Sequence, residues 1–394
     1  MNSKRSLLTT LCLLLCVCPS LLAQQAKPGS RSSVQTSYAD VGGYKLTLQV
    51  AGSGAPTVVF DYGLGDGLET WNDVFPKVAR FTRVVAYDRA GYGKSEKGPD
   101  PRSFSQMASE LHALLHRADI APPYVLVGHS LGGANIRAFA YLFPAEVAGL
   151  VFIDPFNEKV FSAVTEKEKE AELARQDASA KNASAVEQAE WRFLKGEVVN
   201  NFPQLRSFGK PPDVPMMVLV AGRDRPPHWA TSLMEQYGVW MAEASEGGLV
   251  FTPDSSHAVQ RDDPALVISA IRRVVFPSVQ NALARTIKEK GVAAAIALYR
   301  QMKRRYPAEY FNEVTLNTLG YQQLQAQHLR EAIALFKLNV EMFPGGFNTY
   351  DSLAEGYMTQ GDRKAAIMNY RKSLALNRNN TNAVSMLKKL GAAP

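Results

Sequence analysis

Cysteine is almost missing from this 394-residue sequence: Cys12, Cys16 and Cys18 are its three copies, and none follows position 18. Everything after that point therefore has no disulfide, no thiolate metal site and no cysteine nucleophile. Long apolar runs are missing too, since beyond the first two dozen residues none approaches the ~20 that a membrane-spanning helix needs. Past the first few dozen residues, which have no acidic side chain before Asp40, acidic residues are scarce near the end: residues 277–394 carry 8 acidic and 16 basic side chains, whereas residues 24–276 carry 29 and 26. The formal charge of +7 thus belongs to the tail. Its densest cluster, Lys303-Arg304-Arg305, has no aromatic or glycine-rich nucleic-acid motif beside it, so it reads as a solvated helical surface and no nucleic-acid partner is expected. A hydrophobic content of 46% is ordinary for a soluble globular protein, and the length suggests two or three domains.

The first residues stand apart. Lys4 and Arg5 precede an apolar run from Leu7 to Leu22, which gives way to Ala23 and a polar stretch beginning at Gln24. That is the form of a secretory signal peptide over residues 1–23, with cleavage expected after Ala23 and a mature protein that is periplasmic or extracellular, with no remaining membrane span. An uncleaved anchor is the alternative, although the run is short for a span. None of the three cysteines follows the pattern of a lipoprotein cleavage site, so lipidation is not expected.

The chain is organised around Tyr124-Val125-Leu126-Val127-Gly128-His129-Ser130-Leu131-Gly132-Gly133, a strand-like run that breaks through G-x-S-x-G into the helix-compatible stretch Ala134 to Leu142. By composition alone the five-residue motif would occur in about one chain of this length in ten. The strand before it and the helix after it give it meaning. A sharp strand-to-helix turn holds the serine in a strained conformation, and small residues at Gly128 and Gly132 let the flanking backbones pass. Ser130 is the expected nucleophile, and the backbone N–H of Leu131, at a helix N-terminus, is an expected oxyanion donor.

Further segments support this reading. Val34 to Val50 forms two strands around Gly42-Gly43, with Tyr44, Leu46, Leu48 and Val50 on one face. A buried strand ending at Asp61 opens into the glycine-rich Tyr62 to Gly67, where the Leu64 amide is the expected second oxyanion donor; a plain surface turn is the alternative. Arg83 to Ser95 reads as a strand and a tight turn that Asp88 and Arg89 tie together by hydrogen bonds and an ion pair. Ser103 to Ala118 is an amphipathic helix carrying His112 and His116 at i and i+4. That spacing can hold a metal, but the sequence shows no third ligand nearby, so no metal is expected. After a strand from Val147 to Ile153 ending at Asp154, residues 156–215 read as a helical insertion. Its Phe161, Trp191, Phe193 and Phe202 fit equally a pocket lining above Ser130 or the insertion's own core. The strand Met216 to Ala221 runs into Gly222-Arg223-Asp224, which puts a carboxylate at a strand's C-terminal end, and the strand Gly248 to Phe251 leads to His257 on a loop able to reach back towards Ser130. The order is Ser130, Asp224, His257.

Over residues 34–276 these segments resemble the α/β-hydrolase superfamily, through Gly128 to Gly133 at the elbow, Asp88 to Ser95 after the fourth strand, Gly222-Arg223-Asp224 after the seventh and Ser256-His257 after the eighth. The resemblance implies an α/β fold with a helical lid inserted after the sixth strand, Ser130 as nucleophile, His257 as general base and acid, and Asp224 as the acid. Asp154 is the rival acid, because triads tolerate relocation of that residue. One departure is Tyr62-Gly63, where many members have His-Gly; the oxyanion donors there are backbone amides. Members that open epoxides or remove halides use an aspartate at the elbow, so the serine points to acyl chemistry.

In the tail, Ala295-Ile296-Ala297-Leu298-Tyr299 recurs as Ala332-Ile333-Ala334-Leu335-Phe336 and again, 34 residues on, as Ala366-Ile367-Met368-Asn369-Tyr370. Leu319 and Leu353 keep the same period, with Gly320 and Ala354 as small residues where paired helices touch. Residues 281–391 therefore resemble all-α tetratricopeptide repeats, which implies a groove for a peptide or partner protein; a stabilising wall packed on the body fits as well. The whole reads as an exported serine hydrolase acting on a small acyl substrate, with carboxylic esters leading by analogy and no metal or organic cofactor needed. Acyl transfer on the same triad, and a non-catalytic scaffold acting through the repeats, are the alternatives.

Overall fold

A computed structural model of the chain describes residues 33–394 except 157, 159–163, 224 and 245. The expected export segment, Phe161 and Asp224 lie outside the described residues.

Eight strands, β1 (Gln35–Asp40), β2 (Lys45–Ala51), β3 (Thr57–Asp61), β4 (Val84–Tyr87), β5 (Tyr124–His129), β6 (Val147–Ile153), β7 (Met216–Ala221) and β8 (Gly247–Thr252), form one sheet in the order β1-β2-β4-β3-β5-β6-β7-β8. The hairpin β1–β2 and the pair β2–β4 are antiparallel, and the remaining neighbours are parallel. The parallel strands are continuous apolar runs because both faces are covered. In β5, Tyr124 and Leu126 face one core while Val125 and Val127 face the other. Leu150 and Phe152 of β6 alternate in the same way with Val151 and Ile153. The expected face Tyr44, Leu46, Leu48 and Val50 packs into the first core.

Helices α1 (Phe104–Arg117), α2 (Leu131–Leu142) and, between β6 and β7, α3 (Glu166–Ala180) and α4 (Ala185–Val199) lie on the first side with α5 (Pro227–Glu243); α6 (Pro264–Val275) covers the other. The insertion helices begin at capping boxes, Thr165 with Glu168 and Ser184 with Glu187, each of which satisfies two orphan amides at its helix start.

Seven helices follow: α7 (Val279–Lys290), α8 (Val292–Arg305), α9 (Glu313–Gln325), α10 (Leu329–Met342), α11 (Phe347–Gln360), α12 (Arg363–Leu376) and α13 (Thr381–Lys389). α9, α11 and α13 start 34 residues apart, as do α10 and α12. Gly320 is small of necessity, since a Cβ there would lie 2.3 Å from the Phe336 ring. The helical region docks on the body through Tyr306 and Tyr310, whose ring centroids lie 5.1 and 5.2 Å from that of Phe276. Arg272 adds hydrogen bonds of 3.0 Å to the Tyr310 hydroxyl and to Glu309.

Candidate active site

The turn between β5 and α2 imposes φ +51° and ψ −117° on Ser130, a conformation costly for a side-chain-bearing residue. The glycines around it have no room for anything larger. A Cβ on Gly128 would lie 2.4 Å from the Gly132 carbonyl oxygen, and one on Gly132 would lie 2.2 Å from that of Asp61. Leu131 is the first residue of α2, so its N–H has no carbonyl partner within the helix.

Ser130, Leu64, Leu131 and His257 line one cavity of about 620 Å³. Leu173, Trp191 and Leu194 of the insertion, with Phe156 and Trp229, make much of its wall apolar. Of the four aromatics left undecided by sequence, Trp191 thus lines the cavity, while Phe193 packs edge-on against Phe104 and Phe202 lies in the core near Phe156.

His257 reaches a carboxylate, and among the described residues that carboxylate is Asp154. Its Oδ2 lies 2.5 Å from Nδ1 of His257. A carboxylate can only accept, so Nδ1 carries the proton and Nε2 keeps a lone pair. Asp154 is buried just past the end of β6, where it also accepts from the Ala221 amide at 3.1 Å and forms a two-pronged ion pair with Arg225. Burial alone would raise its pKa; the hydrogen bond from His257 and the Arg225 charge outweigh this and hold it below the usual carboxylate value.

The histidine loop is held from two sides. Asp262 accepts from the Ser256 amide and hydroxyl, both at 2.6 Å. His129, inside the elbow motif, places Nε2 2.9 Å from the carbonyl oxygen of His257, so that nitrogen donates, and burial lowers the ring's pKa and favours its neutral form. The sequence pattern assigns His129 no role of its own.

The loop carrying Leu64 has a support that the sequence reading placed elsewhere. Arg89 does not pair with Asp88 inside the turn. It is buried, bonded to Asp61 at 2.8 Å, to the Tyr62 and Gly63 carbonyls at 2.7 and 3.0 Å, and to both oxygens of Glu190 on α4 at 2.9 and 3.0 Å. Asp88 instead accepts from the Lys94 amide at 3.1 Å. One guanidinium therefore ties the loop carrying Leu64 to the insertion that walls the cavity.

With this geometry in view, the comparisons with known proteins identify the class. The sequence pattern of the alpha/beta hydrolase fold matches residues 56–297, and the chain belongs to that family. It is similar to the uncharacterized protein YqjL of Bacillus subtilis (strain 168), 28% identical over 233 residues that cover 59% of this chain and 88% of that one. A shorter match, 38% identical over 116 residues, joins 29% of this chain to 33% of the uncharacterized protein Mb2734 of Mycobacterium bovis. Among solved structures, the haloalkane dehalogenase DbeA of Bradyrhizobium elkani USDA94 is similar in fold, at 21% identity and a TM-score of 0.45, covering 61% of this chain and 98% of that one.

Proposed function

We propose that the protein is a serine hydrolase that cleaves carboxylic esters or related acyl substrates. One observation carries the proposal: a serine on a strained elbow shares a partly apolar cavity with a histidine whose Nδ1 is hydrogen-bonded to a buried aspartate. In the reaction, the Ser130 hydroxyl proton passes to Nε2 of His257 as Oγ bonds to the substrate carbonyl carbon. The electron pair displaced onto the carbonyl oxygen is stabilised by the Leu64 and Leu131 amides. Collapse of this intermediate breaks the bond to the leaving alcohol, which takes the proton from His257, and water then repeats the sequence to free the acid. The acid of the triad is Asp154, in place of the expected Asp224; its contact with His257 supports that choice. Serine at the elbow, where an epoxide- or halide-cleaving member carries aspartate, favours acyl chemistry.

The test is labelling of the purified protein by a fluorophosphonate probe beside a folded Ser130→Ala variant. Labelling of the parent alone is the expected result, followed by turnover of short-chain esters. No labelling of either would sink the proposal and return the molecule to the scaffold reading.

Export rests on the signal-like residues 1–23, and Edman sequencing of protein recovered from the periplasm or medium should begin at Gln24. The 34-residue recurrence of helix starts supports tetratricopeptide repeats, and a protein or peptide partner on α9 to α13 would be retained by the wild-type chain and lost on deletion of residues 313–394. The packing of Tyr306 and Tyr310 on Phe276 favours a wall role for the first helices of that region. Among the described residues no helix is long and apolar enough to cross a membrane.

A further inference from the structure

His112 and His116 lie one turn apart on α1 and so share a face. Sequence offered no third ligand; the fold supplies one. Glu146 closes the short turn Pro144–Glu146 that joins α2 to β6, and its carboxylate lies between the two imidazoles. Nε2 of His112 is 3.1 Å from Oε1, and Nε2 of His116 is 3.2 Å from Oε1 and 3.3 Å from Oε2. The His112 ring is held in place by stacking on Phe143, with centroids 3.7 Å apart and planes 7° from parallel. The ligand atoms of these three side chains all lie within 4.8 Å of one another.

We propose that His112, His116 and Glu146 form a binding site for zinc or another borderline divalent first-row metal ion. Bonds of about 2.0 to 2.1 Å in tetrahedral geometry place ligand atoms about 3.3 to 3.4 Å apart, and the nitrogen–oxygen separations here already approach that spacing. Two imidazoles and one carboxylate suit Zn²⁺, Co²⁺, Ni²⁺ or Cu²⁺ and not Ca²⁺ or Mg²⁺, which take oxygen ligands. The His116 side chain is 47% exposed, which gives the ion an entry path and leaves a fourth position for water. The site is remote from Ser130: Ser130 is the N-cap of α2 and the turn bearing Glu146 follows its other end, a helix length of about 18 Å away at 1.5 Å per residue. The ion's role is therefore a clamp between α1 and the α2–β6 turn, which stabilises the body without entering the chemistry.

The experiment uses the full chain freed of any histidine tag and stripped with chelator. Co²⁺ is titrated while its visible d–d absorption is followed, and Zn²⁺ is titrated by calorimetry and thermal unfolding. Expected are one bound ion, an intense tetrahedral Co²⁺ spectrum, and a rise in Tm of several degrees with Zn²⁺ at about 100 times its dissociation constant. His116→Ala and Glu146→Gln, both at partly exposed positions, should each weaken binding at least tenfold, since even partners one shell out are worth about 10- to 100-fold. His228→Ala, the control, should change nothing. Absence of a Co²⁺ spectrum and of a Tm shift would overturn the proposal, leaving a hydrogen-bonded histidine–glutamate cluster. Binding that survives the His116→Ala/Glu146→Gln double variant would overturn it equally.

Discussion

Replacing Asp154 by Asn tests the site most directly. The carboxylate is buried; Oδ2 lies 2.5 Å from Nδ1 of His257 and accepts from Arg225 Nη2 at 2.7 Å, while Oδ1 accepts from the Ala221 amide and from Arg225 Nη1. An amide keeps the shape, but it cannot match both partners. Turned so that its oxygen takes the place of Oδ1, it sets N–H against Arg225 Nη2 and presents N–H to Nδ1, which forces the proton to Nε2 and removes the lone pair that would accept from Ser130. Turned the other way, it keeps the tautomer but drives an N–H donor against a guanidinium and gives the imidazolium no counter-charge. In serine triads of other folds, loss of the acid lowers turnover by about 10,000-fold. We expect a fall in kcat of about 1,000- to 10,000-fold, which is about 4 to 5.5 kcal/mol on the barrier, with KM little changed. The assay is hydrolysis of a short-chain p-nitrophenyl ester at pH 8, with circular dichroism and thermal unfolding to show that the variant folds. Asp224→Asn is measured beside it and should stay within about tenfold of the parent. Activity kept in Asp154→Asn and lost in Asp224→Asn would refute the assignment and restore the acid expected from sequence.

Three other outcomes follow from the same contacts. Because Asp154 has its pKa held below the usual value in the folded state, its contribution to stability is present above the unfolded value of 3.8 and lost as pH falls through the folded one; urea midpoints measured from pH 6 down to 3 should fall less steeply below about pH 4 in Asp154→Asn than in the parent. Glu190→Gln removes one partner of a buried guanidinium and should destabilise the protein by about 3 to 5 kcal/mol in urea unfolding; a change below 1 kcal/mol would show that Asp61 suffices for Arg89. Gly132→Ala places its methyl 2.2 Å from the Asp61 carbonyl oxygen, an obstacle that is backbone and cannot turn aside, so stability should fall by about 1 to 3 kcal/mol and fluorophosphonate labelling of Ser130 should slow; an unchanged labelling rate would argue against the tight elbow.

What the sequence by itself determined is local. The apolar run Tyr124 to Val127, the glycines around Ser130 and the helix-compatible stretch after it specify strand, turn and helix within a dozen residues, because backbone preference and close approach of neighbouring chain segments are local properties. The recurring Ala-Ile pattern of the tail is legible for the same reason, and from α9 onward alternate helix starts keep a 34-residue step. Tertiary structure alone decided which distant groups meet. Asp154 and Asp224 both follow parallel strands, so spacing could not separate them; β6 lies directly beside β5, with Ile153 in register with His129, and this brings Asp154 to the edge of the turn carrying Ser130. Glu146 joins His112 and His116 only because the α2–β6 turn returns past α1, and Arg89 finds Glu190 only because the insertion folds back over the loop carrying Leu64. These pairings depend on the order of strands and the path of connections, which are settled by burying two cores at once, and no short window of residues encodes them.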